Sequence, residues 1–179
     1  SSGTFSPTGT VTLNGSSSQT MSGAGTFSLV NLTLNTSTAN VFANSDINIS
    51  GTLTFSTNRI LVVGSSADII LGSAATISGA NSSRYIQLDG GTGSNSNLTI
   101  TTTNSTGPWA ITYPIGTSTG GYTPVTIPTV STAPANNATL SVKAINYSSR
   151  PGELKRTFRF SIAGNGNATT FSNGVFAYN

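Results

Sequence analysis

Neither cysteine nor histidine occurs anywhere in this sequence. Their absence removes disulfide frameworks, thiolate metal sites and every Ser/His/Asp or Cys/His nucleophilic arrangement, each of which needs a thiol or an imidazole. Charge is scarce as well: Asp, Glu, Lys and Arg make up 6% of the chain, against about 25% in an ordinary soluble domain. The carboxylates are Asp46, Asp68, Asp89 and Glu153, too spread out to announce the acid pair that most glycosidases use. No D-x-D-x-D-G run or G-G-x-G-x-D repeat supplies the oxygen cluster of a calcium site. A Ser–Lys pair through Lys143 or Lys155 stays formally open, but serine is so abundant that adjacency carries little meaning. No apolar run approaches the roughly 18 residues of a membrane-spanning helix. These absences argue for a protein that is not an enzyme, with no cofactor, no catalytic residue, no metal and no membrane span.

What fills the space is hydroxyl and amide. Ser and Thr together number 58 and Asn 18, while 35% of the chain is hydrophobic. Disorder requires low hydrophobicity with high net charge, and neither holds here. Threonine suits strands because its branched Cβ fits the pleat. The composition therefore predicts a folded, β-rich protein, of a texture associated with bacterial surface proteins. The chain opens at Ser1 without a basic, apolar leader, and reads as a processed or excised piece of something longer.

Residues 46–79 set the pattern. Ile47–Ile49, then Leu53 and Phe55, then Leu61 and Val63, then Ile69–Leu71, then Ile77 form short alternating segments separated by Gly, Ser, Asn or Asp. No gap between them holds a helix, and strands so short must stack on copies of themselves to bury a face. The same texture runs backward through Thr10–Leu13, Gln19–Met21 and the Phe27/Leu29 and Leu32/Leu34 pairs. The change of parity between Leu29 and Leu32 predicts a corner or bulge near Val30 and Asn31. It runs forward through residues 84–91 and 98–101. Asparagine tolerates the left-handed backbone of tight corners, and stacked asparagines form amide ladders. Asp46 and Asp68 sit where one coil could lie over the next, each most simply as a turn cap.

Near residues 104–108 the texture changes. Segments 109–115, 122–130, 138–147, 156–163 and 170–178 read as longer strands. Leu140, Val142 and Ala144 alternate with Ser141 and Lys143, as do Phe158, Phe160 and Ile162 with Arg159 and Ser161. This is the alternation of antiparallel strands with one face on a core. Charge shifts too: Arg59 and Arg84 against three aspartates before the boundary, but Lys143, Arg150, Lys155, Arg156 and Arg159 against Glu153 after it. The expected architecture is all-β: a parallel β-helix (solenoid) over residues 1–107, followed by a small antiparallel β-sandwich-like module over 108–179 that caps or joins its end.

The run Gly9, Thr10, Val11, Thr12, Leu13, Asn14, Gly15 followed by Gln19, Thr20, Met21, Ser22, Gly23 resembles a recurring element of large secreted surface proteins of the Bacteroidota. So do residues 50–54 (SGTLT), 75–79 (ATISG) and 83–86 (SRYI), and the pair Tyr113-Pro114-Ile115-Gly116 with Tyr122-Thr123-Pro124-Val125. The resemblance implies a right-handed parallel β-helix, export by the type IX secretion route, and a role in adhesion or surface structure.

Three functional readings follow. The first is an extracellular structural or adhesive unit of a cell-surface fibre, meeting copies of itself or the rest of a longer parent chain head to tail. Its assembly contacts are Phe5 at one end and Val175, Phe176 and Tyr178 at the other. The second is a carbohydrate- or ice-binding solenoid module with a flat Thr/Asn face, hinted at by Thr99, Thr101, Thr102 and Thr103, although the T-x-T is not repeated coil after coil in register. The third is a fragment of a polysaccharide-active enzyme, disfavoured by the shortage of acids and bases. Arg150, Lys155, Arg156 and Arg159 form a basic cluster suited to surface polysaccharide or another polyanion, and too sparse for nucleic acid. Trp109 and Tyr113 are the aromatic candidates for stacking on a sugar, with a plug between two subdomains as the plainer role for Trp109. Ten Asn-x-Ser/Thr sequons, at Asn14, Asn31, Asn35, Asn48, Asn81, Asn97, Asn104, Asn137, Asn146 and Asn167, mark positions open to glycosylation where a transferase exists.

Overall fold

A computed structural model describes residues 3–88, 95–102, 111–127, 129–130, 138–146, 156–163, 171–172 and 175–176. All of their regular structure is strand. The first twelve strands form four coils of three. They are β1 (Thr10–Leu13), β2 (Gln19–Met21) and β3 (Phe27–Leu29); β4 (Asn31–Leu34), β5 (Val41–Ala43) and β6 (Ile47–Ile49); β7 (Thr52–Phe55), β8 (Leu61–Val63) and β9 (Ile69–Leu71); and β10 (Thr76–Ser78), β11 (Ile86–Leu88) and β12 (Leu98–Thr102). Each strand pairs in parallel with its counterpart one coil on, giving a first sheet β1-β4-β7-β10, a second through β2-β5-β8-β11, and a third through β3-β6-β9-β12. This is a β-solenoid, as the alternation and the missing helical pattern predict.

The coils are not equal. Asn40 to Ile60 spans 20 residues, Asn31 to Thr52 21 and Asp46 to Asp68 22. The last coil is longer, with 24 residues from Thr52 to Thr76 and 29 from Asp68 to Asn97. The extra length lies in the corners, so strand register survives it. Each sheet sends alternate side chains inward, and pairing stacks them in columns. Val11, Leu32, Leu53 and Ile77 form one, and Leu13, Leu34 and Phe55 its neighbour. Val41, Leu61, Ile86 and Ile115 line the second sheet. Phe27, Ile47, Ile69, Leu98 and Val142 line the third. Leu32, Ile47, Leu53, Leu61, Val63, Ile69 and Ile86 have no exposed surface, and each such burial is worth about 1.5–3 kcal/mol. Of Ile47, Ile49, Leu53, Phe55, Leu61, Val63, Ile69, Leu71 and Ile77, the core that the alternation over residues 46–79 predicts, only Ile77 is half-buried, because β10 is the last strand of its sheet.

The corners are built by small and polar residues. The chain bends at Val30 between β3 and β4, where the parity of apolar residues shifts. Ser50 N–H donates to Leu29 O at 3.0 Å and Gly51 N–H to Val30 O at 2.7 Å, so the ladder runs on through the bend. A Cβ at Gly51 would lie 2.4 Å from Asn31 Oδ1 and 2.8 Å from Val30 O. Only glycine fits that corner. At the end of β10, Gly79 has φ 78° and faces Phe55 O, a left-handed backbone that glycine adopts freely. Asparagine contributes through hydrogen bonds to backbone: Asn31 Oδ1 accepts from Thr52 N–H at 2.8 Å and Asn40 Oδ1 from Ile60 N–H at 3.1 Å. Amide ladders were expected at these positions. One-coil stacking brings the next backbone N–H within reach first.

Past the fourth coil come β13 (Ile111–Tyr113), β14 (Ile115–Thr117), β15 (Gly121–Tyr122), β16 (Val125–Ile127), β17 (Thr129–Val130), β18 (Ala138–Asn146), β19 (Arg156–Ala163), β20 (Phe171–Ser172) and β21 (Val175–Phe176). Among the described residues, the longer strands expected here are found at 138–146 and 156–163. Segment 109–115 is divided at Pro114, which has no N–H to give, so β13 and β14 join different sheets. Pro114 O instead accepts from Ile86 N–H at 2.9 Å. In segment 122–130 the described strands β15 and β16 are separate at Thr123 and Pro124, and of segment 170–178 only β20 and β21 are described, pairing with β17 and β16 respectively. A small antiparallel module is present in β13-β16-β21 and β17-β20. The module also continues the solenoid: β14 pairs in parallel with β11, and β18 pairs antiparallel with β12 before β19 pairs with β18.

Replacing Ile69 by Asp puts an unpaired carboxylate in a dry column and should cost several kcal/mol. Its neighbour Ile70 faces outward, and Ile70→Asp should stay within about 0.5 kcal/mol of wild type. Urea unfolding of the two variants checks this, and equal losses would contradict the assigned inward and outward faces.

Candidate functional site

The same alternation that fills the core also sets what each sheet shows outside. On the first sheet the outward residues are Thr10 and Thr12 in β1, Asn31 and Thr33 in β4, Thr52 and Thr54 in β7, and Thr76 and Ser78 in β10. Register places Thr12, Thr33, Thr54 and Ser78 in one column, and Thr10 opposite Asn31 and Thr52 opposite Thr76 in the next. Pairing is one residue for one, without a bulge, across all four strands. Thr52 Oγ1 and Thr76 Oγ1 lie 3.1 Å apart. Asn14, Asn35 and Ser56, all exposed, follow the strands and extend the hydroxyl and amide surface. No charged and no aromatic residue stands among these positions. T-x-T itself stands only in β1 and β7, so it does not recur in every coil; β4 offers Asn31-x-Thr33 and β10 Thr76-x-Ser78, and register aligns these with the threonines in a face of mixed hydroxyls and one amide.

The stretch that suggested such a face lies elsewhere. Thr99 and Thr101 belong to β12 in the third sheet, where Thr99 pairs with Ile70 and Ser141 rather than with further threonines. Its Oγ1 lies 2.7 Å from Ser141 Oγ. Thr103 lies outside the described residues. A shallow groove of about 460 Å³ crosses the outer face of this third sheet, lined by Ser6, Pro7, Ser28, Asn48, Ile70 and Gly72 among others. It offers hydroxyls and a methyl surface but no acid or base.

The aspartates are neighbours, as one-coil stacking allows, and act as caps. Asp68 N–H donates to Asp46 Oδ1 at 2.9 Å, and Asp68 Oδ1 accepts from Asn97 N–H at 2.8 Å and Asn97 Nδ2 at 3.0 Å. Ile47 N–H reaches Asp68 O, and Ile69 N–H reaches Asn97 O. Asp46, Asp68 and Asn97 thus form a ladder ahead of β6, β9 and β12, its carboxylates occupied by main chain. No group of three His, Cys, Asp or Glu side chains comes together among the described residues. Arg59 and Arg84 are tied to carbonyl and amide oxygens of Ser37, Asn58 and Phe55.

Tyr113 is a correction. It has no exposed surface, and burial pushes its phenol far above the ordinary tyrosine range. A ring inside the core cannot stack on a sugar. Trp109, Arg150, Lys155 and Tyr178 lie outside the described residues, as do Asp89 and Glu153. Arg156 and Arg159 fall in β19, where register sets Arg159 opposite Lys143 and Arg156 opposite Asn146. Lys143 thereby joins the basic group, a residue that the linear cluster at 150–159 does not reveal. Val175 and Phe176 form β21, which pairs with Thr126 and Val125 of β16. Phe5 is 52% exposed and meets Phe27 edge-on, ring centroids 5.9 Å apart.

Compared with known proteins, the chain matches no family model, no curated protein and no solved structure. The geometry must carry the functional reading.

If Asp68 is a cap, its acceptor oxygen matters and its charge does not. Asp68→Ala strands two donors of Asn97 and should cost about 1–3 kcal/mol. Asp68→Asn keeps an acceptor and should cost clearly less. Chemical denaturation distinguishes the two, and equal losses would show that the charge itself is required.

Proposed function

We propose that this chain is an extracellular structural or adhesive unit that continues end to end into a cell-surface fibre. The observation that carries the proposal is the state of the solenoid's ends. At the N-terminal end β1 and β2 are terminal strands of their sheets, paired on one side only among the described residues. The third sheet continues past β3 by one bridge, Phe5 to Phe27, with Ser28 N–H donating to Phe5 O at 2.9 Å. Phe5 leaves half its ring in water. At the other end β10, β15 and β19 are the terminal strands.

Open edges with apolar ends pair with other strands unless charge, proline or a cover prevents it. Here the first charged residue is Asp46, so the N-terminal coil has no charge to guard it. A contact between unlike ends is heterologous and propagates as a fibre. The competing cover is the rest of a longer parent chain. Stacked coils supply stiffness along the axis, so the role is mechanical and interfacial rather than catalytic. The occupied aspartates support that reading. So does the low charge, and with it the resemblance to secreted surface proteins of the Bacteroidota, which brings the type IX route and an outer location into the proposal. The pairing of Lys143 with Arg159 supports acidic surface polysaccharide as a secondary partner.

Sedimentation velocity over rising concentration tests the assembly. The wild-type chain should grow beyond monomer, and Phe5→Arg should shift that growth to higher concentration with the melting midpoint little changed. A chain that stays monomeric throughout would overturn self-assembly and leave covalent continuation as the cover for its ends.

A further inference from the structure

We infer that the outer face of the first sheet binds a regular water lattice, that is, the surface of ice. This face is a different surface from the solenoid ends, and binding through it does not depend on end-to-end assembly. Four strands, β1, β4, β7 and β10, present two columns of outward side chains in one-for-one register, hydroxyls throughout except for the Asn31 amide. Parallel strands lie about 4.7–4.9 Å apart, and residues two apart along a strand are separated by about 6.6 Å. A rigid grid with those two repeats comes close to the oxygen spacings on the faces of hexagonal ice. Irregular loops offer no such repeat.

The chemistry of the grid points the same way. Thr10, Thr12 and Thr76 are exposed, and Thr33, Thr52 and Thr54 half-exposed. Each threonine offers one hydroxyl, which both donates and accepts, beside one methyl. The methyl holds neighbouring water in an ordered cage, and the hydroxyl anchors that cage to the protein at a fixed spacing. A charged side chain would impose its own hydration shell on such a layer, and none stands on this face. Two other occupants fit less well. A polyanion needs cations, which gather instead on β18 and β19. A sugar surface is gripped by aromatic rings, and the outward positions of β1, β4, β7 and β10 hold none. The other two sheets break the pattern: Phe42 and Val62 interrupt the second and Ile70 the third. The grid is confined to one side of the molecule, as binding to a planar solid requires.

Slow growth of ice from a dilute solution of the full chain tests the inference, by measuring how the protein divides between ice and liquid. The wild-type chain should be enriched in the ice. Thr54→Tyr, which breaks the plane, and Thr33→Val, which keeps the shape but removes a hydroxyl, should each lower that enrichment, by about tenfold for the tyrosine. Thr20→Tyr, on the outer face of the second sheet, should leave it unchanged. Thermal melts identify any variant that fails to fold, and Thr33→Val carries the test if Thr54→Tyr does. Exclusion of wild type from ice, or equal loss with Thr20→Tyr, overturns the inference. Retention on crystalline cellulose with none on ice overturns it in favour of a polysaccharide lattice.

Discussion

Vertical registration of apolar columns is the constraint from which the rest of this structure follows. A three-residue strand such as Ile47–Ile49 buries only two side chains, too little to hold its backbone in place alone. It persists because Phe27 lies before Ile47 and Ile69 after it, in one sheet, with parallel hydrogen bonds closing the same pairs. Each coil is thus both substrate and template for its neighbours, and stability accumulates with neighbour contacts rather than in a central nucleus. A slip of one residue in any pair would turn a whole column outward. Coil lengths vary freely at the corners because only strand register is under this constraint.

One phase decides two surfaces. Once Leu32 and Leu53 point inward with no exposed surface, Thr33 and Thr54 must point outward, stacked at the strand spacing. The regular hydroxyl face therefore needs no separate device to align it. What distinguishes the first sheet is only which residues fill its outward positions. On the second and third sheets the same geometry carries Phe42, Val62 and Ile70, and no uniform surface results. Corner chemistry belongs to the same logic. Asp46, Asp68, Asn31 and Asn40 offer oxygens one coil away from backbone N–H groups that the turn leaves free, which keeps buried polar groups partnered.

Strand identity was legible in the sequence because it is local. Alternation over three or four residues marks Ile47–Ile49, Leu61–Val63 and Ile69–Leu71 without reference to anything distant, and the parity change at Val30 marks its bend. Register between coils is non-local and was not legible. Steps of 20, 21, 22, 24 and 29 residues hide any fixed period, so Thr12, Thr33, Thr54 and Ser78 look unrelated until pairing aligns them. The eye falls instead on Thr99–Thr103, a run dense in sequence, yet Thr99 pairs with Ile70 on one side and Ser141 on the other. Tyr113 is misjudged for a similar reason: its burial comes with the pairing of β13 to β16, where it lies opposite Val125, and a linear reading does not show that pairing. Lys143 is not grouped with the basic cluster at 150–159 in a linear reading because its partner Arg159 lies across a strand pair.

The ends pose a different problem from the middle, and the chain meets it unevenly. Inside the stack every strand has two neighbours, so a coil's polarity pattern is free to be nearly charge-free. At a terminus the same pattern leaves hydrogen-bonding groups and apolar side chains without a partner. Beyond the fourth coil, β14 continues the second sheet and β18 and β19 the third, and the antiparallel turn from β18 to β19 changes strand direction. Two reversals return β19 to the direction of β12, whereas β15, antiparallel to β14, ends the second sheet reversed, and a strand of solenoid direction placed against β15 would have to form the antiparallel hydrogen-bond pattern. The first sheet has no such reversal among the described residues, and β10 ends it with the register of β7 intact. Before the first coil, the single bridge at Phe5 extends the third sheet alone. The two ends therefore differ in kind, one still templating parallel strands and the other partly converted to antiparallel.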